Sequence, residues 1–166
     1  MTGVAVVAHR KKVVGGGFDE FRRLLEAHGV DKPMWYEVAK SRKATSKAAA
    51  AARDGADIVF VYGGDGTVQR CIDALAGTGI DLAIVPTGTA NLLASNLGIP
   101  KDVEAAIDIG LYGARRTFDI GCVNGEHFAV MAGAGFDAFM IRDADRTAKS
   151  RFGRLAVPAL RPARGT

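Results

Sequence analysis

Ile58-Val59-Phe60-Val61-Tyr62-Gly63-Gly64-Asp65-Gly66-Thr67 runs from an apolar, β-branched stretch straight into glycines, a carboxylate and a hydroxyl. Five apolar residues do not by periodicity separate a buried strand from a buried helix. The β-branched content and the glycine stop favour a strand covered on both faces. Thr67 is then placed to cap a helix through Val68, Cys71, Ile72 and Leu75, and Gly77 stands where that helix should end. Gly63 to Gly66 become a strand-to-helix turn at the carboxyl edge of a sheet, where open α/β folds bind their ligands.

Glycines in such a turn let backbone amides approach a ligand with no Cβ in the way. Amides converging near a helix N-terminus make an anion site. Asp65 does not suit phosphate as the only guest, because like charges repel. It suits a divalent cation, or a hydroxyl proton awaiting removal, lying between them. An ordinary tight turn with Asp65 as a turn or cap residue fits the four residues equally well.

The flanking sequence repeats the strand, glycine loop, helix unit. Val4 to Ala8 predicts a buried strand, followed by His9-Arg10-Lys11-Lys12, Gly15 to Gly17, and a helix with Phe18, Phe21, Leu24 and Leu25 at helical spacing. Trp35 to Val38 predicts the next strand, and Ser46 leads an alanine-rich helix through Ala48 to Ala52. Leu82 to Val85 is a further short strand. It enters Pro86-Thr87-Gly88-Thr89-Ala90-Asn91 and a helix carrying Leu92, Leu93, Asn96 and Leu97 that stops at Gly98; Val103, Ala106, Ile107 and Ile109 mark one more helix. This alternation predicts a doubly wound, mostly parallel sheet over residues 1–115, with the loops at 63–67 and 86–91 opening on one edge.

Beyond Gly113 the pattern changes. Thr117 to Val123 and His127 to Met131 flank Asn124-Gly125, a hairpin signal, and begin an antiparallel, β-rich domain over 116–166. Two strands and a piece of helix bury no core of their own, so this second domain is expected to be incomplete.

Composition limits the function classes. The chain has 166 residues, 48% of them hydrophobic, and a formal charge of +4. The positive balance suits an anionic partner such as nucleotide phosphates or acidic lipid headgroups. Nucleic acid is not expected, since no basic run carries interleaved aromatics. Cys71 and Cys122 are isolated from each other and from histidines, and Cys71 falls on the apolar side of its helix. The three histidines, His9, His28 and His127, lack metal-ligand spacing. No apolar stretch approaches the ~20 residues of a membrane span and no signal peptide is read at the N-terminus, so a cytoplasmic chain is expected.

GGDGT at 63–67 and PTGTAN at 86–91, with LGIP at 97–100 behind them, resemble the diacylglycerol kinase catalytic family, which includes bacterial lipid kinases, sphingosine kinases and ceramide kinases. GGDGT is shared with NAD kinases; the second loop separates the lipid kinases from them. The resemblance implies ATP and magnesium as cofactors and transfer of the γ-phosphate to a lipid hydroxyl, of a diacylglycerol or sphingoid type. It places the ATP phosphates over Gly63, Gly64, Asp65, Gly66 and Thr67, with Thr89 reaching the nucleotide and Asn91 bracing the second loop. Asp65 would orient the phosphate and magnesium network or take the acceptor's proton. Asp137, in GAGFDA at 133–138, would lie near the interdomain cleft, on the substrate side. Peripheral contact with anionic lipid at the inner membrane surface is a further expectation.

Three departures accompany the resemblance. The family's opening Asn-Pro-x-x-Gly is here Ala8-His9-Arg10-Lys11-Lys12, with Gly15 to Gly17 as a replacement. Arg70 stands where the family commonly has Glu, against the helix dipole, and is expected to form a salt bridge or meet phosphate. The family also continues for more than a hundred further residues, whereas here Val157-Pro158 interrupts the matching helix. The expectation is a chain cut short after about Ala156. The expectation is a lipid kinase by family, with nucleotide binding retained and turnover by the shortened chain in doubt, and an unfinished sheet edge would be open to pairing in a homodimer. A silent nucleotide-binding module and an NAD kinase-like activity are the alternatives.

Overall fold

The computed structural model describes residues 3–130. Six elements build the centre: β1 (Val4–His9), α1 (Gly17–Ala27), β2 (Met34–Val38), α2 (Ala44–Arg53), β3 (Ile58–Gly63) and α3 (Asp65–Leu75). β4 (Asp81–Pro86), α4 (Leu92–Asn96), α5 (Val103–Tyr112), β5 (Gly121–Val123) and β6 (Glu126–Phe128) follow. The first four strands form one parallel sheet in the order β2-β1-β3-β4, and β5 and β6 pair antiparallel. The doubly wound α/β architecture expected from the alternation is the one observed.

Strand periodicity sorts the core into two layers. Ala5, Val7, Val59, Val61 and Ile84 point to one face, where they meet Ala44, Ala48 and Ala51 of α2 and Val68, Cys71, Ile72 and Leu75 of α3. Val4, Val6, Ala8, Phe60, Tyr62, Ala83 and Val85 point to the other, under Phe21, Leu24 and Leu25 of α1 and Ala106 and Ile107 of α5. β1 and β3 are buried along their whole length, which is why they read as unbroken apolar runs. The alanines of α2 have a packing role: small side chains bring that helix close to the sheet. Cys71 is fully buried, and burial pushes its thiol up to about 12, so it is inert packing.

Several local expectations are corrected. Thr67 does not cap α3. The cap lies three residues earlier, at Gly64, and the helix begins at Asp65, because Gly64 adopts extended backbone at φ −98° and ψ −177° and its carbonyl accepts from Thr67 N at 2.8 Å and Val68 N at 3.1 Å. Thr67 is therefore inside the first turn, 1% exposed. α2 likewise begins at Ala44, behind a 3-10 turn at Ser41–Lys43, and the Ser46 hydroxyl donates back to the Lys43 carbonyl at 3.0 Å.

The hairpin is shorter than its sequence pattern. Asn124 and Gly125 supply the turn with φ of 51° and 78°, as the Asn-Gly signal requires. Only three cross-strand pairs form, from Gly121↔Phe128 to Val123↔Glu126, and Phe128 lies over Gly121, where any Cβ would meet its ring. The hairpin packs on α3 within the same compact unit as the sheet. Gln69 donates to the His127 carbonyl, Arg70 pairs with Glu126 at 3.2 Å, and Asp73 accepts from the His127 backbone N–H at 3.1 Å. Arg70 thus takes the salt-bridge alternative. Among the described residues no helix is long and apolar enough to cross a membrane.

Candidate functional site

All four parallel strands end on one edge. The chain leaves β1 toward β2 on one side, while β3 and β4 extend the sheet on the other, so the winding reverses between β1 and β3. In open α/β folds such a reversal is where loops diverge and ligands bind. The β1–α1 loop, the turn after β2, the Gly64 turn and the segment after β4 all lie along this edge.

The Gly64 turn and the 87–91 loop interlock. Thr87 N donates to Gly63 O at 3.0 Å, extending the β3–β4 ladder past Pro86. A Cβ on Gly64 would sit 3.0 Å from Gly88 Cα, and one on Gly88 would sit 2.7 Å from Gly64 Cα and 2.7 Å from Asn91 Oδ1. Both glycines are needed for close approach of two backbones. A Cβ on Gly63 would meet Thr67 Cβ at 2.7 Å. Gly66 differs: the nearest atoms to a Cβ there are Ser41 Oγ at 3.6 Å and Ser41 Cβ at 3.7 Å, ordinary contact. Among the described residues nothing requires position 66 to be glycine.

Two polar side chains complete the joint. Asn91, 4% exposed and left-handed at φ 52°, accepts from Gly88 N at 2.9 Å through Oδ1 and donates from Nδ2 to Gly88 O at 2.8 Å. It closes the second loop on itself. The Asp65 carboxylate crosses between the loops: Oδ2 accepts from Asn91 N at 2.9 Å and Oδ1 from Leu92 N at 2.6 Å. These N–H groups belong to the start of α4, where no intrahelical partner exists for them.

The first loop is tied down by Tyr62. Its hydroxyl donates to Val14 O and accepts from Val14 N, both at 3.0 Å, while the ring packs against Phe18 and Phe21. His9, at the end of β1, is 6% exposed, and its Nδ1 accepts from Lys11 N at 3.2 Å. Burial lowers its pKa, with Lys12 and Lys11 adding repulsion. Arg10 is paired with Glu37 at 2.8 Å. Among the described residues no carboxylate pairs with Lys11, Lys12, Lys40, Arg42 or Lys43.

The structure thus brings Gly63, Gly64, Asp65, Gly66 and Asn91 together at one joint. Thr89 is exposed on the second loop. Thr67 is sealed beneath the turn, with its Oγ1 3.2 Å from Ser41 Oγ. Asp137 lies outside the described residues. Ser41 is the residue that sequence reading missed. It carries no motif, and the one signal for it is its place just after β2, on the edge where the other loops open. Among the described residues no three acidic, histidine or cysteine side chains converge as metal ligands. Two cavities lie away from this edge: one of ≈ 320 Å³ beside β4 and Phe118, and one of ≈ 720 Å³ between His28 and Tyr112 at the opposite end of the sheet.

A family model described as the diacylglycerol kinase catalytic domain matches residues 11–123. A diacylglycerol kinase of Mycobacterium tuberculosis (strain CDC 1551 / Oshkosh) is 40% identical over 104 residues, covering 59% of this chain and 34% of that protein. The diacylglycerol kinase of Bacillus subtilis (strain 168) is 36% identical over 130 residues, covering 72% and 43%. A crystal structure of a diacylglycerol kinase from Bacillus anthracis str. Sterne aligns at TM-score 0.64 and 27% identity, over 75% of this chain and 48% of that one. The chain spans less than half the length of these relatives.

Proposed function

Because this chain belongs to the diacylglycerol kinase catalytic-domain family, we propose that it binds ATP at the carboxyl edge of the sheet and serves phosphoryl transfer to a lipid hydroxyl. Gly66 carries the reading. Gly63, Gly64 and Gly88 are explained by contacts within the fold; Gly66 is not, and it opens the first turn of an 11-residue helix to the outside. A helix N-terminus with free backbone donors and no Cβ in front of them suits phosphate. Lys11, Lys12, Lys40, Arg42 and Lys43, which pair with no carboxylate among the described residues, surround the same edge and favour a polyanion.

In this reading Gly64 and Gly66 present their backbone to the phosphates, Thr89 approaches from the second loop, and Asn91 keeps that loop closed. Thr67 contributes from beneath, by holding the turn against Ser41. ATP supplies the γ-phosphoryl group, and the residues of this edge bind and orient it while excluding water, the main tasks in phosphoryl transfer. Magnesium fits less well. Both Asp65 oxygens already accept backbone N–H groups, and the described residues offer no donor set for a protein-held ion. The acceptor is a lipid by kinship with the relatives named diacylglycerol kinases, met in this proposal at the cytoplasmic face of a membrane.

Gly66→Ala tests the reading, because it separates folding from binding. Alanine inside a helix is favoured over glycine by up to about 1 kcal/mol, so the variant should melt at the wild-type temperature or above it. It should lose most of the ATP-induced rise in melting temperature. An undiminished ATP shift in Gly66→Ala would remove the phosphates from this turn. Transfer of radiolabel from ATP to diacylglycerol, sphingosine or NAD then distinguishes lipid kinase, silent module and NAD kinase.

A further inference from the structure

We propose that Asp65 is a positioning residue: it acts through the Asn91 and Leu92 backbone N–H groups to hold the second loop against the Gly64 turn, and it does not accept the acceptor's proton. The inference rests on the ATP reading for its functional consequence and on geometry alone for its structural half. Both carboxylate oxygens are engaged, one on Asn91 N at 2.9 Å and the other on Leu92 N at 2.6 Å. Hydrogen bonds from backbone N–H to an ionised carboxylate are among the stronger ones available to a fold.

The contacts around this bracket explain why a carboxylate is needed. α4 has five residues and a left-handed residue, Asn91, immediately before it, and its N-cap makes no side-chain hydrogen bond to the helix's own first turn. The start of such a short helix has little to hold it in place. Asn91 spends its own side chain on Gly88, so it closes the loop but leaves its backbone N–H, and that of Leu92, without a local partner. Asp65 supplies both acceptors from the opposite loop. Gly64 and Gly88 permit the approach and Thr87 N to Gly63 O sets its register. The carboxylate inside a phosphate-type glycine turn thereby has a reason that requires neither a cation nor a substrate proton.

Acting through a neighbour and acting on a ligand predict different couplings. If Asp65 works through the second loop, Asp65→Asn and Asn91→Ala damage the same object and their effects are not additive. Each should weaken ATP binding by roughly 10- to 100-fold, the range expected for hydrogen bonds to a charged group, and the double variant should be little worse than the worse single one. A direct contact from Asp65 to nucleotide would make the two losses multiply. Binding is measured by calorimetry on the full chain.

Amide exchange gives the second readout. In Asp65→Asn the Asn91 and Leu92 amides should exchange at least tenfold faster, while those of β1 and β3 stay protected. In the wild type these two amides should be protected although α4 offers them no intrahelical partner, a measurement that needs no variant to fold. Multiplying losses, or Asn91 and Leu92 amides indifferent to Asp65, overturn the proposal. A wild type that binds no ATP defeats the nucleotide reading instead, and amide exchange still decides whether Asp65 is the bracket. Where lipid turnover is measurable, Asp65→Asn should raise the ATP KM and leave the shape of the kcat pH profile intact; loss of its acidic limb would identify a general base.

Discussion

Gly88 has no room for a side chain, since a Cβ would lie 2.7 Å from both Gly64 Cα and Asn91 Oδ1. Gly88→Ala must push the two loops apart, and overpacking of this kind costs about 1–3 kcal/mol; urea denaturation should show the loss, in contrast to Gly66→Ala. His9 supports a prediction of another sort. Burial, helped by repulsion from Lys12 and Lys11, lowers its folded pKa, so the folded chain prefers the neutral imidazole. That preference stabilises fully above the unfolded value of about 6.5 and is lost as pH falls through the lower folded value. The denaturation midpoint should therefore drop on acidification through this window, and His9→Gln should flatten the dependence.

At the scale of elements, α3 links the glycine turn to the hairpin. Its first residue is Asp65 and its outer face carries Gln69, Arg70 and Asp73 against β6. The Asp73 carboxyl is held below its usual range, first by the His127 backbone N–H and then by the His127 ring and the Arg70 charge. Its contribution is present above the unfolded carboxylate value of about 3.9 and is lost as pH falls through the folded value. Protection of the His127 amide, which donates to Asp73, should therefore fall below about pH 4, before that of the sheet amides. Arg70→Glu would place like charges at the Glu126 contact, which is 3.2 Å in the wild type. It should loosen the hairpin by a few tenths of a kcal/mol, since exposed pairs are worth about 0–1 kcal/mol. Phe60 is the opposite case: α5 reaches the sheet at Gly110, whose Cβ would lie 2.5 Å from the Phe60 ring. Phe60→Ala should cost about 3–5 kcal/mol.

For the whole molecule, parallel winding brings the ends of four strands to one edge, and with them the loops that hold Lys11, Lys12, Lys40, Arg42 and Lys43. Two short basic stretches, Arg10 to Lys12 and Lys40 to Lys43, are 27 or more residues apart in sequence, and the winding brings them to the same edge. ATP affinity should accordingly fall several-fold between about 0.05 and 0.5 M salt, as the screening length shrinks to a few ångströms. The opposite edge, with the cavity between His28 and Tyr112, should show no salt-dependent ATP effect when its residues are replaced.

The amino-acid sequence by itself determined the strands, the helices, their alternation and the two loops that matter. Each follows from local causes: β-branched runs such as Ile58 to Val61, helical spacing such as Phe21-Leu24-Leu25, and Asn124-Gly125 at a turn. Tertiary structure decided what the loop residues do. Asp65 reads as a ligand or base because its partners are 26 and 27 residues away, and no local pattern shows them. Thr67 reads as a cap, yet the turn closes at Gly64 and buries it against Ser41. Gly64 reads as a phosphate glycine, and its missing Cβ also makes room for the Gly88 backbone of the other loop. Hydrogen bonds and close packing between segments distant in the chain fix these roles, and they exist only once the sheet has set the register of β3 and β4.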